Sequence, residues 1–226
     1  MDKRKARFVF VTSLTLSRIP LILVFLAVNI FCLRMVDDGL VLGNRAWHAF
    51  WFWIAFGGMV SSALTDLFDG YFARKFKVET RLGAYADPMT DKTFYLVTFP
   101  TLLYLSALQG DLLHSSLLLG LAALFLFRDQ WVSFLRSLGA IYNISGKANW
   151  SGKARTLISF PSICIIYWYL MAPDAIQFFA PWFIYAVEGI SCAINIISIY
   201  VYTGRYWSCF KSDLMEFESK AEEDEQ

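Results

Sequence analysis

Residues 65–92 read TDLFDGYFARKFKVETRLGAYADPMTDK. They connect two apolar runs, residues 46–64 and 94–108, and they hold four aspartates. Asp66 and Asp69 are three residues apart as the first run ends, and Asp87 and Asp91 are four apart as the second begins. In helices, each pair shares one face. If the intervening turn brings the two helix ends together, the four carboxylates converge. Charged groups at membrane depth are costly and face a cavity or a partner. Four anions in one place also repel one another, and a hard divalent cation relieves that repulsion, because an oxygen-only donor set suits Mg2+, Mn2+ or Ca2+. Magnesium usually takes only a few carboxylates together with substrate phosphate, so the pattern predicts a phosphate ester as substrate. Gly70, Ala73 and Gly83 are small enough for a bulky ligand to approach the backbone. Arg74 is a candidate partner for its phosphate or carboxylate.

The rest of the chain sets that stretch in lipid. Of 226 residues, 57% are hydrophobic and 17% charged, with a net charge of +1 and a mean hydropathy of +0.48. The charges fall in short blocks between long apolar stretches, unlike the even mixture of a soluble domain. This composition excludes intrinsic disorder, a collagen-like rod and a basic nucleic-acid binder. Cys32, Cys164, Cys192 and Cys209 form no Cys-x-x-Cys or Cys/His pairing, and His48 and His114 stand alone, which argues against a zinc site or a disulfide framework. The basic N-terminus followed by an apolar run resembles a signal peptide. Arg18 and Pro20 interrupt that run, however, no small-residue cleavage site follows, and more apolar segments succeed it.

A bilayer core needs about 20 apolar residues per helix. Six segments qualify, centred on residues 19–33, 46–64, 94–108, 117–135, 157–171 and 176–202. Several are short because their cytoplasmic ends carry polar residues and continue out of the lipid. Loop charge sets the orientation. The N-terminus, residues 74–92, residues 128–155 and the tail together hold 17 of the 20 Lys and Arg, whereas the opposite loops hold Arg34 and Arg45. The expectation is therefore an all-α integral membrane bundle of six transmembrane helices with both termini cytoplasmic. Residues 1–210 form this domain, and residues 211–226 form an acidic, disordered tail. Gly57, Gly58, Ser61, Ser62 and Ala63 in the second segment, and Ser115, Ser116, Gly120, Ala122 and Ala123 in the fourth, predict close helix packing.

The pattern Asp66-x-x-Asp69-Gly70-x-x-Ala73-Arg74, eight residues, Gly83-x-x-x-Asp87-x-x-x-Asp91 resembles the signature of the CDP-alcohol phosphotransferases, membrane enzymes of six helices. The resemblance covers the chain apart from its tail. It implies that Asp66, Asp69, Asp87 and Asp91 ligate Mg2+ or Mn2+ and that Asp91 is also the general base. Asp69, Gly70, Ala73, Arg74 and Gly83 would shape the CDP pocket. It further implies transfer of a substituted phosphoryl group from a CDP-linked donor to an alcohol, with release of CMP, and it suggests a homodimer.

The acceptor must be read from other cations. Arg18, Arg128, Lys153 and Arg155 lie at cytoplasmic helix ends on the six-span arrangement, and their convergence near the carboxylates would bind an anionic acceptor. Arg18 interrupts an apolar run, and an intramembrane Arg is a functional candidate by default. Within the family, Leu14-Thr15-Leu16-Ser17-Arg18, Arg128-Asp129 and Gly152-Lys153-Ala154-Arg155-Thr156 resemble the bacterial phosphatidylglycerophosphate synthases, which join CDP-diacylglycerol to glycerol 3-phosphate. Three departures bear on the acceptor rather than on the reaction. Val11-Thr12 replaces the frequent Pro-Asn, Asp129 the usual Glu, and Ser159 a common Gln. The loop charges put the active site on the cytoplasmic side, a lipid donor with a nucleotide head requires it to be open to lipid and water, and the lack of a transit peptide favours a bacterial inner membrane. Other readings are the same chemistry with another acceptor (cardiolipin, phosphatidylinositol phosphate or head-group transfer), a divalent-cation transporter and a structural scaffold. Transport requires acids along several helices at mid-membrane depth, and a scaffold has no use for the acidic pattern.

Overall fold

Apolar runs can cross lipid only if every backbone N–H and C=O is paired within the segment, which for a chain without barrel patterning means helices. The structure is a computed structural model describing residues 3–37, 45–76, 81–142 and 150–224; at residues 3, 4, 6, 32–37, 45–47, 66, 67, 69, 70, 73, 74, 81–88, 91 and 213–224 it describes the backbone alone. Among the described residues there are six α-helices, α1 (Lys3–Asp37), α2 (Arg45–Phe76), α3 (Arg81–Leu108), α4 (Leu112–Ile141), α5 (Trp150–Met171) and α6 (Pro181–Asp224), together with a 3-10 turn at Asp174–Ile176 and no strand. The all-α expectation is met. Four stretches, Arg7–Phe31, Leu112–Ile141, Trp150–Met171 and Pro181–Ser212, are long and apolar enough to cross a bilayer. The protein is an integral membrane protein.

Two boundaries differ from the sequence reading. The last apolar segment opens with the 3-10 turn, and its helix starts at Pro181, where proline's missing N–H costs nothing and its fixed φ suits the first turn. The acidic tail continues α6 to Asp224, since Leu, Met, Glu, Lys and Ala are all good helix formers. The turn between α3 and α4 follows local rules. Gly110 adopts φ +77°, which ends α3, and the Asp111 carboxylate accepts a hydrogen bond from His114 N at 2.9 Å to cap α4.

The chain forms two packing units. The first comprises Met1–Leu118 and Ile163–Ile184. In it α1 packs on α2 and α3, with Ile22, Phe25, Phe52, Ala55 and Met59 buried. A Cβ on Gly58 would lie 3.2 Å from the Leu21 carbonyl oxygen, whereas one on Gly57 would meet nothing within 4 Å. Ser62 donates to the Arg18 carbonyl at 3.4 Å. Gly58 and Ser62 therefore let α2 approach α1, as the run of small residues predicts, and Gly57 does not contribute. Tyr167 stacks on Phe52 with ring centroids 5.9 Å apart, and its hydroxyl donates to Asn29 Oδ1 at 3.1 Å.

The second unit comprises Leu119–Ser162 and Tyr185–Gln226. Val132, Leu135, Tyr202, Tyr206 and Cys209 form its core. A Cβ on Gly139 would lie 2.1 Å from the Tyr206 ring, and one on Gly152 2.8 Å from the Tyr202 hydroxyl. These two glycines admit the tyrosines of α6. Of the small residues expected to pack in α4, Ser115 hydrogen-bonds Ser106 of α3 at 3.0 Å and Ala122 is buried. Ser116, Gly120 and Ala123 are exposed.

Candidate functional site

The first unit holds the acidic pattern. Asp66 and Asp69 lie on α2, and Asp87 and Asp91 on α3, so helical periodicity puts each pair on one face. The side chains of these four residues, and of Gly70, Ala73, Arg74 and Gly83, lie outside the described residues. Among the described side chains no group of three His, Cys, Asp or Glu gathers. The chemistry of the donor set fits a hard divalent cation, since carboxylate oxygen is its preferred ligand.

Arg18 is tied to both of the helices that carry the acids. It is only 3% exposed, and its Nη1 donates to Thr90 Oγ1 at 2.9 Å. Thr90 immediately precedes Asp91, and Ser62, which bonds the Arg18 carbonyl, precedes Asp66 by four residues. An arginine buried at this depth on an apolar helix is a functional candidate. Arg18 therefore joins α2 and α3 beside the acidic stretch.

The second unit holds a cation pair built around one carboxylate. On α4, Arg128 Nη1 donates to Asp129 Oδ1 at 3.0 Å. From α5, Arg155 Nη2 reaches the same Oδ1 at 2.9 Å. Both arginines are buried, 5% and 7% exposed. The pair repels itself, and Asp129 offsets that repulsion, leaving a net charge of +1. Aromatic faces support the guanidinium groups. Arg155 lies 3.9 Å above the Phe125 ring centroid, and Arg128 lies 5.4 Å from that of Tyr202; such contacts contribute about 0.5–2 kcal/mol each. Helix α6 adds Ser198, whose Oγ accepts from Arg128 Nε at 3.0 Å and Nη2 at 2.6 Å. Arg136 Nη2 donates to the Tyr202 hydroxyl at 3.0 Å. Bidentate-capable guanidinium groups in a desolvated setting are the side chains best suited to phosphate.

The family model for CDP-alcohol phosphatidyltransferase matches residues 9–197. The chain belongs to that family. This CDP-alcohol phosphatidyltransferase is 30% identical over 154 residues, 67% of its length and 72% of the relative's, to the CDP-diacylglycerol–glycerol-3-phosphate 3-phosphatidyltransferase of Pectobacterium atrosepticum. A protein of the same name from Sodalis glossinidius is 29% identical over 154 residues, covering the same shares. One from Cereibacter sphaeroides is 34% identical over 107 residues, 46% of each chain. No solved structure matches the chain.

In this phosphatidyltransferase the cations singled out from sequence behave differently from one another. Arg128 and Arg155 meet at Asp129, Arg18 belongs to the first unit, and Lys153 is exposed on α5. Gly152 of the Gly-Lys motif is explained by packing against Tyr202. Sequence reasoning missed Thr90, Phe125, Ser198 and Tyr202. One signal was available for the last two. Ser191, Asn195, Ser198 and Tyr202 recur at intervals of four, three and four residues in the apolar part of α6 between Gly189 and Tyr202, which puts them on one helical face.

Proposed function

We propose that this family member transfers the phosphatidyl group of CDP-diacylglycerol to glycerol 3-phosphate, giving phosphatidylglycerophosphate and CMP. The observation that carries this reading is the 30% identity, over 72% of its length, to a relative named for that reaction. The paired arginines support it, because their buried net positive charge suits a phosphate-bearing acceptor better than a neutral lipid.

In this reading Asp66, Asp69, Asp87 and Asp91 hold Mg2+ or Mn2+, and Asp69, Gly70, Ala73, Arg74 and Gly83 hold the CDP moiety. Bound divalent metal supplies charge neutralisation at the diphosphate. Asp91 accepts the proton of the attacking glycerol hydroxyl as its oxygen bonds to the phosphatidyl phosphorus. The bond from that phosphorus to the bridging oxygen breaks, and CMP departs with the electron pair. An aspartate suffices as base because it need take the proton only as the new bond forms. Arg128, Lys153 and Arg155 meet the acceptor's phosphate, and Arg18 stands beside the acidic stretch of its own unit. The protein has six spans with cytoplasmic termini and a cytoplasmic active site, an orientation supported by the distribution of Lys and Arg, in a bacterial inner membrane, which the bacterial relatives support. A homodimer completes the proposal.

The test is product analysis. Purified protein in detergent receives CDP-diacylglycerol, Mg2+ or Mn2+ and a panel of acceptors, and CMP and lipid products are identified by mass. Phosphatidylglycerophosphate formed with glycerol 3-phosphate alone is the expected result. CMP release with phosphatidylglycerol, inositol phosphate or another alcohol instead replaces the acceptor, and silence across the panel from folded protein overturns the reading.

A further inference from the structure

An arginine on a transmembrane helix has a long, flexible stem and tends to snorkel its charge toward water. Arg128 is held instead. Its guanidinium has five N–H groups, of which two go to Ser198 Oγ, at 3.0 and 2.6 Å, and one to Asp129 Oδ1 at 3.0 Å. With the Tyr202 ring 5.4 Å from Arg128 Cζ, the plane of the group is fixed, and one N–H on each of Nη1 and Nη2 remains for a ligand. Ser198 is itself fully buried. It lies one residue beyond the matched stretch 9–197, on a helix stripe whose other members are also engaged. Ser191 bonds Ser162 of α5 at 2.8 Å, and Asn195 donates to the Ser191 carbonyl at 2.7 Å.

We infer that Ser198 is a positioning residue for acceptor binding: by taking the Nε and Nη2 edge of Arg128 it orients the remaining N–H pair toward an acceptor phosphate. The inference rests on the acceptor proposed above. A fixed fork binds a phosphate without first losing the rotamer freedom of a loose arginine. Ser198 acts on acceptor affinity through Arg128 and touches neither the CDP-linked donor nor the reacting oxygen. It therefore changes KM for the acceptor and leaves kcat alone.

CMP release measured against glycerol 3-phosphate and against CDP-diacylglycerol tests this. In Ser198→Ala, KM for glycerol 3-phosphate rises about tenfold, the size of one hydrogen bond to a charged group, while kcat and KM for CDP-diacylglycerol stay within about twofold. Ser198→Thr, which keeps the hydroxyl, restores the wild-type KM. In an Arg128→Ala background, Ser198→Ala adds nothing further. Should Ser198→Ala not fold in detergent, Ser198→Cys, similar in size but a weak acceptor, carries the same prediction. An unchanged acceptor KM overturns the inference, as does an additive effect in the Arg128→Ala background or a joint loss of kcat and donor KM. Wild-type protein that gives no product with glycerol 3-phosphate overturns the acceptor reading and the inference with it, and that control is read before any variant is compared.

Discussion

The two packing units carry their charges in different arrangements. On α2 and α3 the first unit carries four aspartates within 26 residues, and its buried Arg18 donates to a neutral threonine. In the second unit two buried arginines share one aspartate oxygen and rest on aromatic rings. A group of carboxylates offers the oxygen-only donors that a hard divalent cation prefers, whereas a cluster that carries its own counter-ion leaves only a small surplus of charge. The first arrangement suits chemistry on a metal-bound diphosphate. The second suits reversible recognition of an anion, because a surplus of one positive charge holds a phosphate without trapping it.

The sharpest way to break this comparison is to remove the proposed base. Asp91→Asn is expected to lower kcat by about 10²- to 10⁴-fold, the usual weight of a positioned general base, with CDP binding retained in an equilibrium titration. Turnover near wild type in folded protein would remove Asp91 from that role. Next in size is the metal dependence. Asp66→Asn is expected to abolish both turnover and the heat of Mg2+ or Mn2+ binding in isothermal titration, and unchanged metal affinity would contradict the ligand assignment.

The second unit predicts a different kinetic pattern. Arg155→Gln leaves Asp129 with Arg128 alone and removes one cation from the cluster. KM for glycerol 3-phosphate is expected to rise about 10- to 100-fold, in line with the loss of one or two charge-assisted hydrogen bonds, with kcat at saturating acceptor little changed. An effect on the KM for CDP-diacylglycerol alone would reverse the division of labour between the units.

Smaller effects sharpen the packing side of the comparison. Gly139→Ala forces a Cβ to within 2.1 Å of the buried Tyr206 ring and is expected to destabilise by about 1–3 kcal/mol through overpacking. Gly58→Ala presses on the Leu21 carbonyl at 3.2 Å and is expected to lower the thermal midpoint in detergent by less. Gly57→Ala meets open space and is the control, neutral to within about 0.5 kcal/mol or slightly stabilising, since alanine is the better helix former. A larger loss at Gly57 than at Gly58 would contradict the packing of α1 on α2.

The same contrast decides what the sequence made legible. The acidic pattern could be read directly because its residues sit at short, fixed intervals in two adjoining helices, and helical periodicity converts such spacing into shared faces. Arg18 was legible as an intrusion in an apolar run, although its bond to Thr90 spans 72 residues. The arginine cluster was legible only as separate cations. What joins them is Asp129, together with a serine and a tyrosine 70 and 74 residues after Arg128, and no local spacing predicts contacts at that separation. The start of the last helix at Pro181 was less legible, because hydrophobicity alone does not separate the preceding 3-10 turn from the helix. Gly152 illustrates a further limit, since a motif glycine next to a cation invites a ligand-binding role, while its neighbour in space is the Tyr202 hydroxyl.

In the proposed division of labour the carboxylates of α2 and α3 do the chemistry while the arginines of α4 and α5 choose the acceptor. The measurement that meets it most directly is CMP release as a function of glycerol 3-phosphate concentration for wild type, Asp91→Asn and Arg155→Gln side by side. The account predicts that Asp91→Asn loses kcat at every acceptor concentration, whereas Arg155→Gln regains the wild-type rate as glycerol 3-phosphate is raised. An Arg155→Gln enzyme that stays as slow as Asp91→Asn at saturation, or an Asp91→Asn enzyme that keeps turning over, would contradict it.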